Sequence, residues 1–186
     1  MRKVEIALLG CLMLIVFIVI PTYVHERVDI VRDAKKGAEQ GDAHAQFRLG
    51  AIYEEGDLVP QNHSEAFEWY LKSAAKGNAM AEYRLGAIYE EGDMAPRDYS
   101  EALNWYLKAA RQGLARAQSR LGLMYADGRG TPPDYVEGYA WLSIASEQGD
   151  SLGIEARAEM SGKMTNEYME YSRRRINELK AGIGEK

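Results

Sequence analysis

The chain reads as an all-α solenoid of helix-turn-helix repeats set behind an apolar N-terminal stretch. Three observations predict this. The string RLGAIYEEGD occupies residues 48–57 and returns at residues 84–93, 36 residues later, with a weaker copy at residues 120–129 after the same interval. Gly41, Gly77, Gly113 and Gly149 recur at the same spacing of 36. Within each interval the apolar residues fall at helical spacing in two separate stretches. A period of this length marks one supersecondary unit stacked on copies of itself, because a lone helical hairpin cannot bury its large face.

Residues 1–24 come first. Arg2 and Lys3 make a short basic start, and after Glu5 the 19 residues 6–24 carry no charge. That is about the length of helix that spans a bilayer core. The region around Ile20, Pro21, Thr22 and Tyr23 has no small-residue cleavage pattern. Leu8-Leu9-Gly10-Cys11 loosely resembles a lipoprotein box, but that cysteine should end the apolar region, and here residues 11–20 are ten apolar residues in a row. The segment is therefore expected to be an uncleaved single-pass signal anchor, with secretion after cleavage as the alternative. The positive-inside rule, applied to Arg2 and Lys3, keeps the N-terminus in the cytoplasm and exports the rest.

Residues 25–42 form a linker and half a unit, in which Ala38 and Gly41 match Ala74 and Gly77. Unit 1 covers residues 43–78, unit 2 residues 79–114 and unit 3 residues 115–150; units 1 and 2 are identical at 22 of 36 positions. The first helix of a unit places Ala45, Leu49, Gly50 and Tyr53 on one face, repeated as Ala81, Leu85, Gly86 and Tyr89. A glycine inside a helix costs about 1 kcal/mol against alanine, so Gly50 and Gly86 predict the close approach of a neighbouring helix. Gly56 and Gly92 read as left-handed residues just past the helix end. Pro60 and Pro96 lie in the connections, and Ser64 and Ser100 are expected to cap the second helix, each followed by glutamate. In unit 3 Asp134 takes the cap and Glu137 stands three residues on. The second helix carries Ala66, Trp69, Tyr70 and Ala74, repeated as Ala102, Trp105, Tyr106 and Ala110. Stacking is expected to bury Leu49, Tyr53 and Trp69. Residues 151–186 close the array with helices over 152–160 and 166–179, the latter capped by Thr165.

The pattern A-x-x-x-L-G-x-x-Y-x-x-G, followed by A-x-x-W-x-x-x-A and a closing glycine, resembles the Sel-one-like repeat, a cousin of the tetratricopeptide repeat. The resemblance covers residues 43–150, and the period of 36 departs from the tetratricopeptide period of 34. It implies a right-handed superhelix of antiparallel helix pairs, and a role as adaptor or scaffold for a protein or peptide partner. It also implies a bacterial envelope setting. With the anchor read above, that means the inner membrane, with the repeats periplasmic. A cysteine-rich branch of the family is associated with β-lactam binding. The only cysteine here is Cys11, so that activity is not carried over.

A net charge of −5 gives no nucleic-acid footprint, and the basic run Arg173-Arg174-Arg175 reads as a solvated helix surface. His25, His44 and His63 have no ligand spacing around them, and no nucleophile motif or phosphate loop occurs. No catalytic residue, metal or cofactor is expected. The alternatives to an adaptor are a β-lactam-binding or hydrolase-like enzyme and a cell-wall or polysaccharide-binding module using tyrosine and tryptophan. The candidate protein-binding residues are those that packing leaves unexplained. Arg48, Arg84 and Arg120 precede the buried leucines, either as ion pairs between units, to Glu82 or to carbonyls, or as a cationic stripe for acidic groups. Glu54, Glu55, Glu90 and Glu91 stand in the last turn of a helix, where the macrodipole disfavours negative charge. Phe47 and Tyr83 are expected to be exposed aromatics on the inner surface, opposite the leucine face.

Overall fold

The computed structural model describes residues 20–184. Among these the chain is all helical: α1 (Ile20–Glu39), α2 (Ala43–Glu55), α3 (His63–Ala74), α4 (Ala79–Glu91), α5 (Tyr99–Arg111), α6 (Ala115–Asp127), α7 (Tyr135–Glu147), α8 (Ser151–Ser161) and α9 (Asn166–Gly182). The pairs α2–α3, α4–α5 and α6–α7 are the three units. Helix α1 packs on α2 as the leading half-unit, α8 stacks against α6 and α7, and α9 lies on α7. Most of the apolar stretch assigned to the anchor lies outside the described residues. Among those described, no helix is long and apolar enough to cross a membrane.

Each hairpin is shaped by three repeated devices. The first is a left-handed glycine that ends the first helix: Gly56 at φ 74°, Gly92 at φ 77° and Gly128 at φ 70°. The second is a cap that starts the second helix. Asn62 accepts from Glu65 N–H at 3.1 Å, Asp98 from Ser100 N–H at 2.9 Å and Asp134 from Glu137 N–H at 2.9 Å. Ser64 and Ser100 are therefore not the caps; each lies inside the first turn, and the amide or carboxylate two residues earlier holds the free N–H groups. The cap residues' own N–H groups donate back to the carbonyls of Tyr53, Tyr89 and Tyr125 at 2.9, 2.9 and 2.8 Å, fixing the loop.

The third device is the helix crossing. A Cβ added to Gly50 would lie 2.8 Å from the Tyr70 ring, and one on Gly86 would lie 2.6 Å from the Tyr106 ring. The tyrosine ring occupies the space that glycine leaves, and Tyr70 and Tyr106 are each 1% exposed. They take the core role expected of Trp69, which is half-buried with Lys72 Nζ 4.0 Å above its ring. Tyr53 is likewise half-buried, while Leu49, Leu85 and Leu121 are fully buried. Burial of each leucine contributes about 1.5–3 kcal/mol. Trp141 is buried where its counterparts are not, because the partly buried Ile176 and Leu179 of α9 join its cluster. Its indole N–H donates to Glu137 at 3.0 Å, and Arg175 Nε donates to the same carboxylate at 2.6 Å. The Glu137 side chain thus serves the closing helix, and no capping box forms.

Candidate protein-binding face

The first helices α2, α4 and α6, continued by α8, lie in register, and they carry all the candidate residues. Glu54 stands at the end of α2, over the end of the Tyr70 side chain of α3. The Tyr70 hydroxyl donates to Glu54, and Arg84 of α4 donates to it from both Nε, at 2.9 Å to Oε1, and Nη2. Burial pushes the Glu54 carboxyl up, but the hydrogen bonds from Arg84 and Tyr70 and the arginine charge outweigh it and hold the group below the usual carboxylate range. Burial and then Glu54 push the Tyr70 hydroxyl well above the phenol range, so it stays a donor. The triad recurs one unit on: Tyr106 Oη donates to Glu90 at 2.8 Å, and Arg120 faces Glu90 across the unit boundary. Arg129 adds an ion pair to Glu90 at 3.2 Å.

These bonds settle what the late-helix glutamates are for. Glu54 and Glu90 neutralise a buried tyrosine–arginine pair, so their position against the helix dipole is offset inside the fold. Arg84 is an inter-unit tie to Glu54, not to Glu82, and it also approaches Asp93 at 3.5 Å and Glu91 at 3.8 Å. Arg48 and Glu55 remain exposed. Phe47 and Tyr83 are not exposed aromatics. Both are half-buried, with ring centroids 5.6 Å from Tyr70 and Tyr106 respectively. They cover the rings that fill the glycine notches.

The third repeat of this site is apolar in all three members. Thirty-six residues beyond Glu90, Tyr106 and Arg120 stand Ala126, Leu142 and Ala156. Where the triad would sit, a recess of about 220 Å³ opens, lined by Ala126 and Ala156 together with Tyr135 and Met160.

Two adjoining grooves cross α4, α6 and the start of α8. One, of about 600 Å³, is lined by Met80, Leu114, Arg116 and Asp150; the other, of about 240 Å³, by Tyr83, Arg116, Arg120 and Leu152. Of the nine candidates read from the sequence, the grooves bring together only Tyr83 and Arg120. Met80, Arg116 and Leu152 were missed because they do not repeat: His44, Met80, Arg116 and Leu152 occupy one position of the 36-residue period. Variation at an exposed position between otherwise near-identical units was the available signal. His44 Nδ1 lies 3.4 Å from Asn78 Nδ2, and among the described residues no group of three or more histidine, cysteine or acidic side chains could hold a metal.

The family model of the Sel1 repeat matches at residues 43–78, 79–114 and 115–150. No curated protein matches the chain in sequence. Among solved structures, the chain is similar to a Sel1 repeat protein from Oxalobacter formigenes, with a TM-score of 0.66 and 34% identity over 69% of this chain and 96% of that one. It is also similar to c5321, a protective antigen of uropathogenic Escherichia coli strains with an SLR fold, with a TM-score of 0.64 and 27% identity over 83% of this chain. The chain spans 41% of the length of c5321.

Proposed function

The chain belongs to the Sel1 repeat family of solenoid interaction scaffolds, and from that premise we propose that it is a membrane-tethered, non-catalytic adaptor that displays its repeats outside the cytoplasm to a protein partner. One observation carries the reading. The groove across α4, α6 and α8 is lined by residues that differ between units otherwise alike, whereas the repeated polar residues hold one another. Tyr70, Tyr106, Glu54 and Glu90, the polar side chains most altered in acidity by their surroundings or bound to such groups, are committed to the inter-unit ties and stabilise the stack. The tether is supported by the 19 uncharged residues 6–24 and by the start of α1, where Val28 is 57% and Ile30 41% exposed immediately downstream. Such surface is at home beside the headgroup layer, where apolar and charged side chains alternate.

The test is photo-crosslinking in cells from position 116, with position 68 on the second-helix side as control. Position 116 is expected to capture a discrete protein that position 68 does not. Capture of nothing above background from 116 would overturn the adaptor reading.

A further inference from the structure

Met80, Arg116 and Leu152 are the second residues of α4, α6 and α8, each 36 residues from the next, and they line the adjoining grooves in that order. Met80 is 39% exposed and Arg116 is fully open to solvent, so the row presents an apolar, a cationic and an apolar group in turn. Packed helices lie about 10 Å apart, and an extended chain advances about 3.3 Å per residue. Neighbouring groups of the row are thus matched by side chains about three residues apart.

We propose that this groove binds an extended segment of a partner protein in which an acidic residue is flanked, three positions away on each side, by apolar residues. The acidic side chain meets Arg116, whose planar fork suits a carboxylate. Arg120 stands in the same recess beside Tyr83 and adds positive charge, although it shares that charge with Glu90. Asp150 is the acidic member of the lining, and its Oδ1 is held by the Ser119 hydroxyl at 2.6 Å and by the Gly153 N–H at 2.9 Å, turned to the start of α8. Arg84, by contrast, is closed to a ligand by Glu54. This inference rests on the adaptor reading and gives it a ligand chemistry.

The experiment is selection of random twelve-residue peptides on the full chain in lipid nanodiscs, in parallel with the Arg116→Glu and Arg116→Gln variants. Because Arg116 is exposed and makes no tie within the stack, both variants are expected to keep the wild-type melting temperature. The wild-type pool should converge on Asp or Glu with Leu, Met or Phe three positions to either side. A synthetic peptide from it should bind the wild type at least about tenfold more tightly than Arg116→Glu, a loss of roughly 1.4 kcal/mol. Glu→Lys in the peptide should produce a similar loss. A pool without this pattern, or peptides indifferent to both variants, overturns the proposed ligand and leaves the adaptor standing. An empty pool overturns the ligand, and it takes the adaptor down as well only if position 116 also captures no protein in cells.

Discussion

Arg84 reaches back 30 residues to Glu54, joining the second unit to the first by Nε and Nη2 on one carboxylate, with both side chains 22% exposed. Tyr70 donates to the same carboxylate from below. Removing one member leaves a half-buried charge or hydroxyl without its partner, so Arg84→Ala and Glu54→Ala should each destabilise by about 1–3 kcal/mol, less than the penalty of breaking a fully buried pair. The third unit shows the alternative solution, Ala126, Leu142 and Ala156. The combined Glu54→Ala, Tyr70→Leu, Arg84→Ala chain should therefore be more stable than either single variant in urea denaturation. If its loss equals the sum of the single losses, the three residues do not act as a unit.

Acid should weaken this tie. Because the Glu54 carboxyl is held below its ordinary value, its contribution is present above the unfolded value near 4.5 and is lost as pH falls through the lower folded value. Glu54→Gln should show a shallower loss of stability than the wild type as pH falls below about 4.5. Melting temperatures across that window provide the check.

Glu82 gives the opposite sign. Gln46 and Gln118 hold its position in units 1 and 3, where their Nε2 groups donate to the carbonyls of Ala38 at 3.2 Å and Ala110 at 3.1 Å. An ionised glutamate cannot donate there. Glu82 is 5% exposed, and burial pushes its carboxyl up, with the Gln112 hydrogen bond pulling it back in part. A raised carboxyl favours the fold below its unfolded value and loses that contribution as pH rises through the folded one. Glu82→Gln should hence stabilise by about 1 kcal/mol at pH 7. The added glutamine amide can donate as in the other units, and its oxygen can accept from Gln112 as Gln118 accepts from Gln148 at 2.7 Å. The gain should shrink toward zero as pH falls below the ordinary carboxyl value of 4.5. A gain independent of pH would show that the Glu82 charge is not its source.

Phe47 and Tyr83 would be silent in stability assays if they stood free on the surface. Their contacts with Tyr70 and Tyr106 say otherwise. Phe47→Ala and Tyr83→Ala should each cost about 1–2 kcal/mol, below the loss for a fully buried aromatic. Thermal melts decide it; an unchanged midpoint would place these rings outside the core.

What was legible in the sequence was whatever repeats for a local reason. Gly50 and Gly56 could be read as a close crossing and a left-handed stop because backbone geometry demands glycine there. The caps were misread by two residues in units 1 and 2, although Asn62 and Asp98 share the register of Asp134, which was read correctly. The Arg84–Glu54 tie was not legible, because it depends on the rotation of two helices whose contacting residues are 30 apart. Arg116 was hidden for a different reason: a search for repeated residues passes over the position that changes from unit to unit.

The tether can be tested apart from the partner. Residues 6–24 supply 19 uncharged positions preceded by Arg2 and Lys3, so the segment should insert as a helix with its basic end in the cytoplasm. The chain should stay in the membrane pellet through alkaline carbonate extraction, whereas a version starting at residue 25 should be released. A reporter active only outside the cytoplasm, fused after Lys186, should work on the full chain. Placing glutamate at both Arg2 and Lys3 removes the charges that set the orientation and should lower that activity several-fold. Activity of a cytoplasm-only reporter at the same position would reverse the assigned topology. The groove of Met80, Arg116 and Leu152 would then face a cytoplasmic partner with its chemistry unchanged.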